Sequence, residues 1–341
     1  MIDLAARYSE LGEAVRAAPT VVAVGAGTHA AIGGAVVGAT DVRAPSGVLD
    51  LQPADMTVTV RAGTPCAELG VALAEVGQEC PLDPRDPAAT VGGTLAAGLS
   101  GLRRLGVGPL RDTLLEVVLV LADGRVVRGG GPTVKNVTGY DVPRLAVGSL
   151  GTLGVLAQVT LRTRPIAPAS SWFTTDRPAG EALTSLYAPA AVTSGRAGTG
   201  VLLEGHPGDL DAQAGRAGLR PADAPALPDA PNRGRISVAP GAVDALVAAL
   251  DAEPGIERLA EHGVGTVHVA TTDAPRLADA RALAHAHGGW LLREAGAPDL
   301  EPFGVDLPAL ALQRRIRAAL DPTGKLAPGR VPATEPAGVP A

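Results

Sequence analysis

Aromatic residues are nearly absent. Phe, Tyr and Trp together make up 2% of 341 residues, so a platform that stacks bases or sugars is not expected, and the core must be filled by Ala, Val and Leu. No basic run or stripe is present. The 29 Lys and Arg stand against 35 Asp and Glu, a net charge of −6, which argues against a nucleic-acid partner. The only cysteines, Cys66 and Cys80, read as reduced thiols of a cytosolic protein rather than as a disulfide framework. No window of 18 apolar residues occurs, so direct membrane insertion is not expected. The opening MIDLAARYSELGEAVRAA carries acids and no apolar signal region. These features predict a cytoplasmic protein that would reach the inner membrane face only through partners.

What is abundant is turn-forming sequence. The 44 Gly and 30 Pro are too many for a helical bundle, and the length suits about two domains. In the first half, short apolar strands alternate with glycine-rich turns. Thr20 to Val24 runs into Gly25-Ala26-Gly27, and Thr57 to Arg61 alternates as a strand does. Thr64-Pro65 reads as N-cap and first position of a helix that Gly77 ends. Leu114 to Leu121 is turned by Asp123-Gly124 into Arg125 to Arg128, a hairpin. A further strand, Val155 to Thr163, ends at Pro165.

Beyond about residue 170, strand-like pieces (Val201–Leu203, Arg235–Val238, Thr266–Ala270, Trp290–Arg293) alternate with Ala-rich helices near 241–251 and 274–287. This rhythm predicts a second domain, a sheet covered by helices on one side. Residues 219–234, with Pro221, Pro225, Pro228 and Pro231, read as a mobile surface loop. A helix around 308–320 precedes DPTGKLAPGR, and 331–341 read as a disordered Pro/Ala tail. No sequence repeat is evident.

VAVGAGTHA matches the dinucleotide fingerprint through Gly25, Gly27 and Ala30, but Ile32-Gly33-Gly34 interrupts the helix a Rossmann turn needs, and Asp41 lacks a second-strand context. Rossmann-type NAD binding is therefore rejected. The turn can still form an anion nest, because glycine permits positive φ and successive N–H groups can converge on one phosphate. A second glycine-rich stretch, Ala89 to Gly101, follows strand-like sequence as well. Two such turns could clamp a diphosphate from opposite sides. Equally, both could be plain tight turns between strands.

The motifs TVGGTLAAGLSG, GPLRD, VKNVTGYD, VGSLGTLGVL and DPTGKLAPGR occur in one order that resembles the FAD-binding domain of the vanillyl-alcohol oxidase / p-cresol methylhydroxylase (PCMH-type) superfamily. Within it, the likeness is to the FAD-binding subunits of bacterial glycolate oxidases. The resemblance implies an α+β protein: a PCMH-type two-subdomain FAD-binding domain over 1–168, then a smaller ferredoxin-like α+β cap domain over 169–306. A C-terminal segment, 307–330, would return to the FAD domain. It also implies non-covalent FAD, with Gly25, Ala26, Gly27, Thr28 and His29 as the first pyrophosphate loop. Thr90, Gly92, Gly93, Ala96, Gly98 and Ser100 would form the second. Gly148, Gly151, Thr152, Gly154 and Val155 would lie along the ribityl and adenine portion. The implied partners are a larger flavoprotein dehydrogenase subunit and an iron–sulfur subunit, with a small 2-hydroxy acid as substrate.

The sequence departs from that pattern at Ala26 and His29, where Gly and Lys are usual, at Leu150 in place of the Glu of GSEG, and at Ala327 in place of Asn. His29 follows Thr28 rather than paired glycines, so a covalent histidyl flavin is not expected. Candidate catalytic groups are few. Lys135 or Arg111 could face the flavin pyrimidine, but in the box containing Lys135, Asn136, Tyr140 and Asp141 a structural role serves equally well: Asp141 would cap a short helix with Tyr140 packed beneath it. Arg330 is a further candidate cation. His268 sits on an alternating strand with no following acid, unlike the HxGDGN cluster of complete dehydrogenases, and reads as a packed histidine. His285 and His287 point apart on one helix, and no metal is expected. The resulting expectation is an FAD-binding subunit with an incomplete substrate site. The alternatives are a self-sufficient dehydrogenase and a flavin-free scaffold.

Overall fold

The computed structural model describes residues 3–36, 38–132, 140–304 and 309–330. The chain divides into two units. The first holds residues up to Gly101, Pro109–Ile166 and the segment from Leu307 onward; the second holds Leu102–Gly108 and Ala167–Asp306.

In the first unit, α1 (Leu4–Arg7) and α2 (Ser9–Ala17) precede a parallel pair, β1 (Val21–Ala23) with β2 (Thr40–Val42). A five-stranded antiparallel sheet follows, built from β3 (Val48–Gln52), β4 (Thr57–Arg61), β6 (Leu114–Val120), β7 (Val126–Gly130) and β8 (Val155–Arg162), in the order β3-β4-β8-β6-β7. Short β5 (Gln78–Glu79) pairs with β9 (Arg164–Pro165). The helices are α3 (Cys66–Ala74), α4 (Val91–Ala97) and α6 (Val142–Ala146); α5 (Arg104–Val107) groups with the second unit. The unbroken apolar run of β6 has a simple cause. Val117 and Leu119 enter a core shared with α3 and α4, whereas Val118 and Val120 enter another shared with α2 and β1, so both faces of the strand are buried. The hairpin turns at Gly124, φ +81°, as the Asp-Gly pair implies.

The sequence reading erred in several local features. Thr64 does not cap α3: its hydroxyl donates to Arg61 O (2.7 Å) and accepts from Gly47 N (2.8 Å), so the loop before the helix takes the group the cap would have used. Asp141 does cap α6, accepting from Arg144 N at 3.0 Å, but Tyr140 is 91% exposed rather than packed beneath it. Residues 102–108, read as part of the first domain, pack with the second, where Gly106 N bonds Ala190 O.

The second unit is one antiparallel sheet of eight strands. Its first half is β10 (Ala169–Thr175), α7 (Ala179–Ser185), β11 (Ala191–Gly195), β12 (Gly198–Gly205), α8 (Pro207–Ala217) and β13 (Arg220–Pro221). Its second half is β14 (Asn232–Ser237), α9 (Val243–Asp251), β15 (Glu257–Glu261), β16 (Thr266–Thr271), α10 (Ala274–Ala286) and β17 (Trp290–Ala295). Each half reads βαββαβ, and β11–β15 pairing joins them in the order β13-β10-β12-β11-β15-β16-β14-β17. A repeat invisible in the sequence is thus present in the topology. The helices cover one face: Phe173, Val192 and Leu203 with α7 and α8, and Ile236, Val267 and Leu291 with α9 and α10. The segment 219–234 is not simply a loose loop, because β13 pairs with β10, Ala222 N bonds Trp172 O and Asn232 begins β14.

The C-terminal α11 (Leu310–Leu320) leads back into the first unit. Asp321 turns the chain by accepting from Lys325 N and Leu326 N. Leu326 then bridges Val21 in parallel, with Val21 N donating to Lys325 O and Ala327 N to Val21 O. The proposed tail, 331–341, lies outside the described residues.

Candidate functional site

The two glycine-rich stretches meet. A Cβ on Gly25 would lie 2.2 Å from Thr90 Oγ1, so the first loop rests directly on the start of α4. Around this contact lies a cleft of about 790 Å³, open to solvent and lined by Ala23–Ala30, Val42, Ala44, Ala62, Gly63, Thr90, Gly92, Gly93, Ala96, Ala97, Leu150, Gly151, Val155, Leu156 and Arg330.

Small residues are needed here for stated reasons. Thr90 caps α4 by accepting from Gly93 N at 3.2 Å. A Cβ on Gly92 would meet the Ala62 Cβ at 2.8 Å, and one on Gly63 the Ala44 O at 2.2 Å. Gly27 differs: it has φ +79°, and nothing lies within 4 Å of its Cβ position, so it is required by backbone conformation. Three of the loop's carbonyls are engaged, Gly25 O by Arg43 Nη1 (2.5 Å), Gly27 O by Ala30 N and His29 O by Ile32 N. Its amides are not: the N–H groups of Ala26, Gly27 and Thr28 find no acceptor among the described residues. A loop with unpaired consecutive amides is a receptor for anionic oxygens. These donors, with the narrow glycine walls, fit a dinucleotide diphosphate.

Of the residues expected to bind the cofactor, Gly25, Ala26, Gly27, Thr28, His29, Thr90, Gly92, Gly93, Ala96, Gly151 and Val155 line the cleft. The others serve the framework. Gly98 ends α4 in the left-handed region, where a Cβ would meet the Gly148 Cα at 2.8 Å. Ser100 Oγ accepts from Leu110 N. Thr152 is buried and donates to Ser149 O at 2.7 Å. A Cβ on Gly154 would press on Leu119 at 3.2 Å. Gly148 N donates to Leu95 O.

Arg330, a low-ranking sequence candidate, reaches the cleft from the chain's last described residue. It donates to Leu150 O and Ala30 O at 3.1 Å each, and burial lowers its pKa without an opposing carboxylate. Leu150 adopts φ +54° with its side chain buried; no acid stands there. His29 Nδ1 is 3.0 Å from the Thr28 hydroxyl. Arg111 is exposed on the 3-10 turn Leu110–Asp112 and does not line the cleft. Lys135 and Asn136 lie outside the described residues.

His268 has an acid that no linear motif could reveal. Its Nε2 is 2.9 Å from Glu261 Oε1, both side chains are buried, and His268 Nδ1 and Glu261 Oε2 have no hydrogen-bond partner among the described residues. Arg235 is the cross-strand neighbour of His268. These three project from the sheet face opposite α9 and α10, as alternation from Ile236, Val267 and Ala260 requires. The sequence signal was the charged residues in otherwise apolar strands; the β15–β16 register joins them. His285 and His287 bond backbone carbonyls of Gly304 and Leu283.

Comparison with known proteins agrees with this geometry. Residues 2–130 match the FAD binding domain family model. The chain is 37% identical over 168 residues to glycolate oxidase subunit GlcE of Escherichia coli, covering 48% of each chain. It is 41% identical over 112 residues to the mitochondrial D-lactate dehydrogenase [cytochrome] of Arabidopsis thaliana, covering 33% of this chain and 20% of that one. The matched part thus spans half or less of these relatives. Two solved structures of alkyldihydroxyacetonephosphate synthase share the fold at 14% identity, with TM-scores of 0.63 and 0.64, each covering 94% of this chain and about three-quarters of the other. Residues 2–130 therefore resemble an FAD binding domain, and FAD is the cofactor that this likeness supports.

Proposed function

We propose that this chain is the FAD-binding subunit of a glycolate oxidase-like 2-hydroxy-acid oxidoreductase complex, passing electrons through flavin. The observation that carries the reading is the single cleft formed by two glycine-rich loops in contact at Gly25 and Thr90. Similarity to a glycolate oxidase subunit and to D-lactate dehydrogenases supports the substrate class. The partners consistent with it are a larger flavoprotein dehydrogenase subunit and an iron–sulfur subunit.

Bound FAD supplies an acceptor for the hydride that leaves the carbinol carbon of a hydroxy acid. The chain's own contribution is placement. The amides of Ala26, Gly27 and Thr28 hold phosphate oxygens. Arg330 ties the Leu150 and Ala30 carbonyls together at the cleft wall and places a cation beside the cofactor. Leu150 supplies no proton acceptor, which supports a substrate site that another subunit completes.

A second reading, a self-sufficient dehydrogenase, draws on the similarity to D-lactate dehydrogenases. Anaerobic addition of glycolate and D-lactate to the purified protein separates the readings. A yellow protein that keeps its visible absorbance supports the subunit, bleaching supports the complete enzyme, and a colourless protein that takes up no added FAD overturns both.

A further inference from the structure

Apart from the FAD cleft, the first unit has a second concavity of about 1000 Å³, open to solvent, between the N-terminal helices, β2 and the end of β4. Arg7, Arg43 and Arg61 line it, together with Tyr8. All three arginines are bonded to neutral acceptors: Arg7 to Gln158 Oε1 (3.3 Å), Arg43 to Gly25 O (2.5 Å) and Arg61 to Ser46 O (3.2 Å). None forms an ion pair among the described residues, although the carboxylates of Glu10 and Asp41 stand on the same wall.

The cluster is built rather than incidental. Tyr8 is 2% exposed, and its hydroxyl donates a hydrogen bond to Gln158 Oε1 at 2.9 Å. Burial raises the phenol's pKa while Arg7 and Arg61 oppose the rise, so the hydroxyl keeps its proton. Gln158 is buried on β8 directly across from Arg61, and Arg61 Nε is buried with no acceptor. Three cations around one opening, none paired with a carboxylate among the described residues, outnumber the two acids that share it and leave donor capacity for an anion.

We propose that this concavity binds a small phosphate monoester that also carries hydroxyl groups. The phosphate oxygens are held by Arg7, Arg43 and Arg61, and the hydroxyls donate to Glu10 and Asp41, which would repel a bare anion but accept from an alcohol. The proposal does not depend on the redox reading, although Val42 lines both concavities and Arg43 bonds the Gly25 carbonyl.

The test is calorimetric titration of the full chain with inorganic phosphate and with glucose 6-phosphate, each against sodium chloride at matched ionic strength. Saturable one-site binding is expected, tighter for glucose 6-phosphate, and weakened about tenfold by Arg61→Gln and by Arg7→Gln. Arg7 is exposed, so its variant keeps the test valid if Arg61→Gln does not fold; circular dichroism checks both. Equal affinity for the two probes removes the role given to Glu10 and Asp41. Heat no greater than that of chloride, or binding unchanged in a folded variant, overturns the proposal.

Discussion

Ala327 and Leu150 hold the left-handed backbone conformation without being glycine, at φ +42° and +54°. For an L-residue this costs roughly 1–2 kcal/mol, and at Ala327 the sequence departs from the Asn that tolerates the region best. Ala327→Gly is therefore expected to stabilise the protein by about 1 kcal/mol, after allowing for the greater freedom of glycine in the unfolded chain. A urea midpoint no higher than that of the parent refutes the strain argument. Asp141→Ala removes the acceptor for Arg144 N and should lower stability by about 1 kcal/mol, readable from the same titration. Both positions could be picked out in the sequence, Asp141 by the helix after it and Ala327 by its departure from the family motif. Tyr140 could not be read correctly, because whether a ring packs or projects depends on chain brought in from elsewhere.

At the level of elements, the Gly25 loop and the start of α4 depend on each other's lack of side chain. Gly25→Ala puts a methyl 2.2 Å from the Thr90 hydroxyl that caps α4, so one of the two must move. FAD retention should fall at least tenfold while far-ultraviolet circular dichroism stays near that of the parent; a variant that purifies with full flavin absorbance would mean that the loop contact does not shape the cleft. The strands themselves were legible, since alternation in β4 and β8 and the Asp-Gly turn are local signals. The Thr64 cap was not, because its hydroxyl had competing partners in a loop remote in sequence. The Glu261–His268 pair was also hidden: a register one step different would have left both side chains alone.

Across the whole molecule, buried titratable groups make stability depend on pH. Burial is the main cause that lowers the pKa of His262, Asp244 opposes it, and Arg258 adds to it. In the unfolded chain the imidazole returns to its ordinary value near 6.5. As pH falls through 6.5 the unfolded state takes up the proton first, so stability is lost from about pH 6.5 downward until the folded-state value is passed. Urea midpoints should thus drop between pH 7.5 and 5.5, and His262→Asn should flatten part of that drop; an identical slope in the variant would remove His262 from the account.

Composition, turn chemistry and glycine spacing by themselves determined that the chain forms short strands around tight glycine-rich turns, with few aromatic residues to build a stacking platform. These are nearest-neighbour properties, fixed by φ preferences and by which residues fit a pleated or helical period. Tertiary structure alone decided that Gly25 touches Thr90, that Arg330 returns to bond the Ala30 and Leu150 carbonyls, that Glu261 stands beside His268, and that two unlike sequences make the two halves of one eight-stranded sheet. Each is a contact between residues distant in the chain, set by strand order and register, and a linear pattern does not encode which of many compatible registers buries the most apolar surface.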